Sequence, residues 1–296
     1  MNKLGVHALV WVGGWSHDEC TKAVEQTAAL GYDIIEIAAL DPKSIDTKFT
    51  RQVVERNKLG ITMSLGLDDA CDISSTDLDK VKRGEQRLKD ALAVGRDIGV
   101  THMCGILYSG FQKYAVPPTE KGMAHSVEVL QRLSAEAARS DITIGLEVVN
   151  RYESNVLNTA AQAVEFCKRI GAANCKVHLD TYHMNIEEAD IEAAIRQTGD
   201  YLGYFHIGES NRGYLGAGSI DFDKIFRGLA QVGYTGPITF ESFSSAVVNQ
   251  QLSGILAIWR NLWDDGFDLA RHAKAFIEAN LRSAHEAHSR SQKGFG

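Results

Sequence analysis

The sequence predicts a single α/β domain over residues 1–296, a (β/α)₈ TIM barrel with additional C-terminal helices. Three observations predict it. Eight short apolar runs alternate with longer amphipathic segments along the whole chain. Several units close alike, with a helix, a glycine and then a buried strand, at Gly31-Tyr32, Gly60-Ile61, Gly99-Val100 and Gly233-Tyr234. The turn after the first run, Gly13-Gly14-Trp15, also lacks the GxGxxG loop expected of a doubly wound nucleotide-binding sheet. Such alternation implies parallel strands joined by right-handed crossovers, and a barrel of this kind uses about 250 residues or more as one domain.

The first strand is the run 4–11. It could pass for the apolar core of a signal peptide, but it carries His7, meets the Gly13-Gly14 pair and shows no convincing cleavage site. Ser16 is positioned to cap a helix running through Ala23, Val24 and Leu30 to Gly31. Runs 34–38 and 61–67 give the second and third strands, and a helix over 75–98 stops at Gly99. Run 101–107 precedes a helix that follows Thr119, and run 142–148 precedes one that follows Asn158. Runs 175–180, 201–206 and 237–241 complete the eight, with Asp221 capping the helix between the last two. Beyond them, further helix over about 250–283 carries Trp259, Leu262, Trp263 and Phe267, to cover the barrel or to form a subunit contact. The polar residues 284–296 are expected to fray.

Composition narrows the function. Hydrophobic residues make up 44% and charged residues 23%, and the four prolines form no linker, which suits one soluble core. The net charge of −7 argues against a nucleic-acid partner, which needs a basic face, and favours a small substrate. No apolar stretch reaches the length of a membrane helix, so no membrane partner is expected. Five scattered cysteines without a CxxC pair suit reduced thiols in the cytoplasm.

In a (β/α)₈ barrel the active site lies at the C-terminal ends of the strands. Four consecutive strand ends here carry metal-ligating side chains, in Ile-Gly-Leu-Glu147, Val-His-Leu-Asp180, Gly-Tyr-Phe-His206 and Ile-Thr-Phe-Glu241. Neighbouring strands lie about 4.8 Å apart, so four adjacent ends can converge on one cation. Three carboxylates packed together repel and raise one another's pKa values, and a divalent cation removes that conflict. Three oxygen donors with one imidazole suit Mn²⁺, Mg²⁺ or Co²⁺ better than a thiolate-rich zinc site. Any one of these residues alone reads more readily as a salt-bridged or hydrogen-bonded core group; four in register do not. Glu153, His183 and Arg212 follow three of these strands and extend the site with groups for a polyhydroxy substrate. His7 and Trp15 lie near the first strand and are further candidates to line it.

Other features weigh less. Gly213, Gly216 and Gly218 follow the seventh strand without a basic cluster, so a turn is favoured over a phosphate cradle. Cys71 has no evident general base, and His285 and His288 sit in the polar tail.

Three segments carry a resemblance: Gly-Leu-Glu147-Val-Val-Asn-Arg-Tyr-Glu153, His178-Leu-Asp180-Thr-Tyr-His183-Met-Asn-Ile-Glu-Glu and His206-Ile-Gly-Glu-Ser-Asn-Arg212. They resemble the ketose 3-epimerases, the D-tagatose, D-allulose (psicose) and L-ribulose 3-epimerases of the xylose-isomerase-like barrels, the L-ribulose type most closely. The resemblance runs from Gly5 to about Phe276. It implies that Glu147, Asp180, His206 and Glu241 bind Mn²⁺ or a similar ion. It further implies that Glu153, His183 and Arg212 hold the O1–O3 end of a ketose, and that Glu147 and Glu241 exchange base and acid roles through an enediolate. It also implies a homodimer or homotetramer. The stretch Gly213-Tyr-Leu-Gly-Ala-Gly218 departs from it where many relatives carry a proline, which bears on substrate preference.

Three other readings stand beside this one. An aldose–ketose isomerase of the hydroxypyruvate or rhamnose type could use the same quartet. A DNA-repair endonuclease on this barrel would need more histidines and a basic face. A non-catalytic sugar-binding protein would not need two carboxylates flanking C3.

Overall fold

A computed structural model of the protein describes residues 2–39, 41–248 and 250–293. Eight parallel strands close on themselves: β1 (Leu4–His7), β2 (Ile34–Ala38), β3 (Gly60–Leu67), β4 (His102–Gly110), β5 (Thr143–Glu147), β6 (Cys175–Asp180), β7 (Leu202–Ile207) and β8 (Ile238–Phe240). The ring is completed by β8 pairing with β1, Gly5 opposite Thr239. The helices are α1 (His17–Ala29), α2 (Thr47–Arg56), α3 (Leu78–Ile98), α4 (Glu120–Ala138), α5 (Ala160–Ile170), α6 (Thr181–Glu187), α7 (Ile191–Thr198), α8 (Phe222–Gln231), α9 (Gln250–Ile255) and α10 (Gly266–Lys293). At least one helix follows every strand, which is the (β/α)₈ order read from the sequence.

The strands are short apolar runs because they are buried on both faces, by the ring of helices outside and by one another's side chains inside. Val6, Ile35, Ile37, Met63, Met103, Ile144, Leu146, Val177, Phe205 and Ile238 have essentially no exposed surface. Local signals fix the helix starts. Ser16 and Glu19 form a reciprocal capping box before α1, as do Thr159 and Gln162 before α5, while Thr119 and Asp221 cap α4 and α8. Gly99 ends α3 in the left-handed conformation, φ 84°.

Four sequence expectations differ from the structure. The first strand stops at His7, because the His7 ring accepts the Leu9 N–H and starts a 3₁₀ turn over Ala8–Val10. Gly60 does not cap α2: the left-handed residue there is Lys58, φ 59°, and Gly60 opens β3. The C-terminal helix is broken over a longer stretch than Asp264–Gly266, since α9 ends at Ile255 and α10 begins at Gly266, capped by the Asp265 carboxylate on the N–H groups of Phe267 and Asp268. The polar segment from Ala284, expected to fray, is helical through Lys293; good helix formers and a Glu286–Arg290 pair one turn apart support it. Residues 294–296 of that tail lie outside the described residues.

Candidate active site

The barrel's stagger brings the ends of β5, β6, β7 and β8 together. Glu147 and Asp180 are the last residues of β5 and β6, His206 is the penultimate residue of β7, and Glu241 directly follows β8. One ligand atom from each of these four lies within 4.8 Å of each of the others. Asp180 and His206 have no exposed surface, and Glu147 and Glu241 have 9% and 7%.

His206 shows whether the residues fit a cation. Its Nε2 lies 2.8 Å from Glu36 Oε2, and its Nδ1 is buried without a hydrogen-bond partner among the described residues. That Nδ1 faces Glu241, Asp180 and Glu147 at 3.5, 3.8 and 3.9 Å. A carboxylate on the far nitrogen fixes the tautomer and leaves the near lone pair for an ion, the usual arrangement of a metal-binding histidine. Burial alone would lower the proton affinity of His206, but Glu36 and Glu241 outweigh it and raise it well above the ordinary value. A divalent cation at Nδ1 would take the place of that proton. The residues fit a divalent cation.

The carboxylates are not equivalent. Burial pushes Glu147 well above the usual carboxylate range, against the pull of His206, and Glu241 and Asp180 add to the rise. Burial acts the same way on Asp180 and Glu241, yet Arg212 and His206 hold both below that range. Arg212 lies 3.0 Å from Asp180 Oδ2 and 2.9 Å from Glu241 Oε2, with its guanidinium stacked 4.2 Å over the Tyr182 ring. The Arg212 backbone is itself left-handed, φ 57°, and its carbonyl accepts the Ser242 hydroxyl.

Above the quartet, His183 Nδ1 accepts the Asn150 backbone N–H at 3.2 Å. The proton of a neutral ring therefore sits on Nε2, which lies 3.7 Å from Glu147 Oε1 and 3.8 Å from Glu153 Oε2. Glu153 accepts a bond from the Asn150 amide at 2.9 Å. A cavity of about 920 Å³ opens over these groups, lined by Glu147, Glu153, Tyr182, His183, Arg212 and Glu241 on its polar side.

Residues 24–273 match the xylose isomerase-like TIM-barrel family. The chain belongs to that family. Among its relatives, the ketose 3-epimerase of Arthrobacter globiformis is 46% identical over 279 residues, covering 94% of this chain and 96% of that protein. The L-ribulose 3-epimerase of Methylomonas sp. (strain DH-1) is 47% identical over 274 residues, covering 93% of this chain and 96% of its own. The crystal structure of a Methylomonas sp. D-allulose 3-epimerase in complex with D-allulose superposes with a TM-score of 0.92 at 46% identity, covering 94% of this chain and 97% of that one.

Against this xylose isomerase-like barrel, Glu147, Asp180, His206, Glu241, Glu153, His183 and Arg212 all come together. His7 borders the cavity, but its ring is engaged by Leu9 N–H, by Ser64 Oγ at 3.2 Å and by Glu36 at 3.8 Å. Trp15 lines a smaller neighbouring pocket that shares Leu9, Ala38 and Asp41 with this cavity, and its indole N–H donates to Thr50 on α2 at 3.0 Å. Among the described residues, no helix is long and apolar enough to cross a membrane. Sequence reasoning missed Glu36, Asn150, Tyr182 and His178. Glu36 carried a signal: it is a charged residue in the middle of the apolar strand Ile34–Ala38, where a lone carboxylate is costly.

Proposed function

We propose that the protein is a divalent metal-dependent ketose 3-epimerase acting on free ketoses of the L-ribulose/L-xylulose, D-fructose/D-allulose and D-tagatose/D-sorbose type. The observation that carries this reading is the quartet at four consecutive strand ends, in which Glu147 and Glu241 share one centre with Asp180 and His206. The similarity to enzymes named ketose 3-epimerase and L-ribulose 3-epimerase supports the substrate class.

Epimerisation at C3 requires a proton to leave the carbon beside the C2 carbonyl and another to return from the opposite face. Two carboxylates flanking C3 can do both, one accepting and one donating, with the roles exchanged in reverse. His183 Nε2–H and Arg212 are donors for the O1–O3 end of the sugar, and Glu153 is an acceptor for its hydroxyls. Glu147, Asp180, His206 and Glu241 would hold a divalent ion, Mn²⁺ with Mg²⁺ or Co²⁺ as alternatives, which would supply Lewis acidity to the reacting carbonyl group.

The setting we propose is the cytoplasm, in keeping with five free cysteines. The assembly is a homodimer or homotetramer; Trp259 and Ile255, 78% and 53% exposed beside the cavity, are apolar surface available for a subunit contact. Product analysis tests the reaction. The Mn²⁺-loaded protein should convert L-ribulose to L-xylulose and D-fructose to D-allulose. Appearance of an aldose would move the assignment to an isomerase, and no product from either sugar would refute the substrate class.

A further inference from the structure

Two residues before Asp180 on β6, His178 has no exposed surface, and neither of its ring nitrogens has a hydrogen-bond partner among the described residues. Its ring stands edge-to-face with His206, centroids 4.1 Å apart, and with Tyr204 at 5.0 Å. A buried unpaired polar group costs about 1–3 kcal/mol and asks for an ion, a water or another role. The Tyr204 hydroxyl does not satisfy it, being engaged at 2.7 Å with each of Glu36, Thr62 and Thr239.

The strand register explains why a second donor set forms. Across β5 and β6 the opposed pair is Glu147 and His178, whereas across β6 and β7 it is Asp180 and His206. One ligand atom each from Glu147, His178 and His206 therefore also lies within 4.8 Å of the other two. This set shares Glu147 and His206 with the quartet but exchanges two carboxylates for an imidazole.

We propose that Glu147, His178 and His206 form a second cation position, mutually exclusive with the first and selective for imidazole-preferring divalent ions such as Zn²⁺. Two imidazoles with one carboxylate is a donor set that zinc uses, whereas three carboxylates with one imidazole suit Mn²⁺ and Mg²⁺. Because both sets need Glu147 and His206, one occupant excludes the other. An ion in the lower set leaves Asp180 and Glu241 uncoordinated and in their pairs with Arg212. Zn²⁺ is thus a competitor of the activating ion. The proposal rests on the cation reading of the quartet.

The test uses the full-length protein, His178→Phe, which keeps the ring's bulk, and His178→Gln, which carries the comparison if the first fails to fold. Zn²⁺ and Mn²⁺ affinities are measured by equilibrium dialysis, and the imidazoles around Zn²⁺ are counted by X-ray absorption. The expected result is two imidazoles in the wild type and one in the variants. Zn²⁺ affinity should fall at least about tenfold, the lower bound for losing even an outer partner of a metal site, with Mn²⁺ affinity unchanged. One imidazole in the wild type, or equal Zn²⁺ affinity in all three proteins, would overturn the lower site and leave His178 to a water or to the face of His206. Failure of the wild type to bind Mn²⁺ would overturn the quartet reading, and this proposal with it.

Discussion

Replacing Glu36 by glutamine removes one buried charge and keeps the side chain's shape. Glu36 Oε2 accepts from His206 Nε2 at 2.8 Å and from the Tyr204 hydroxyl at 2.7 Å, and the amide oxygen of glutamine can still accept both. What is lost is the charge behind the ligand. A hydrogen bond to a charged group contributes about 1.5–3 kcal/mol and a neutral one about 0.5–1.5, so His206 loses about 1–2 kcal/mol of orientation and basicity. That converts to roughly five- to thirtyfold in metal affinity, within the ~10–100-fold typical of outer partners. The assay is Mn²⁺ titration followed by the electron paramagnetic resonance signal of the free ion, with thermal unfolding to check that the barrel is intact. Tyr204→Phe, which leaves the Glu36–His206 bond in place, should weaken Mn²⁺ binding less. A Glu36→Gln protein that binds Mn²⁺ as tightly as the wild type would refute the reasoning that Glu36 orients His206 toward an ion.

Glu241→Gln should keep most of the metal affinity, because the amide oxygen still ligates, yet lose about 10²–10⁴-fold in turnover with the proton-transfer role; near-normal kcat would remove Glu241 from that role. His102 tests a pH effect away from the quartet, since burial pushes its imidazole down to about 4. The unfolded chain protonates it near 6.5 and the folded chain does not. Its share of stability is therefore full above pH 6.5 and is lost as pH falls toward 4. His102→Gln should flatten the fall between pH 7 and 4.5 by about 2 kcal/mol in urea unfolding, and an unchanged slope would contradict the burial argument. Gly84→Ala should destabilise the fold by about 1–3 kcal/mol, again in urea, because the added Cβ would sit 2.1 Å from the Cys71 carbonyl oxygen.

The quartet was legible in the sequence because each member ends a hydrophobic strand, and a closed parallel barrel puts strand ends on one rim. Glu36 and His178 were not, because they lie inside strands, where composition says only that a charge or an imidazole is buried. Which partner each finds depends on the stagger of the barrel, a global property that no local pattern encodes. The surroundings of Trp15 depend on packing in the same way: its indole meets Thr50 on α2, beside a small pocket that shares Leu9, Ala38 and Asp41 with the cavity. In the segment from Ala284 polarity does not separate a loose end from an exposed helix, since exposed helices are also polar, and Ala284, Glu286 and Arg290 favour helix.

Proton exchange at C3 tests the central claim most directly. The Mn²⁺-loaded protein is incubated with L-ribulose in D₂O, and deuterium is located by NMR. The account requires deuterium at C3 of L-ribulose and of the L-xylulose formed, lost in Glu241→Gln. Epimerisation without solvent deuterium at C3, or deuterium at C1 or C2 with an aldose appearing, would contradict it.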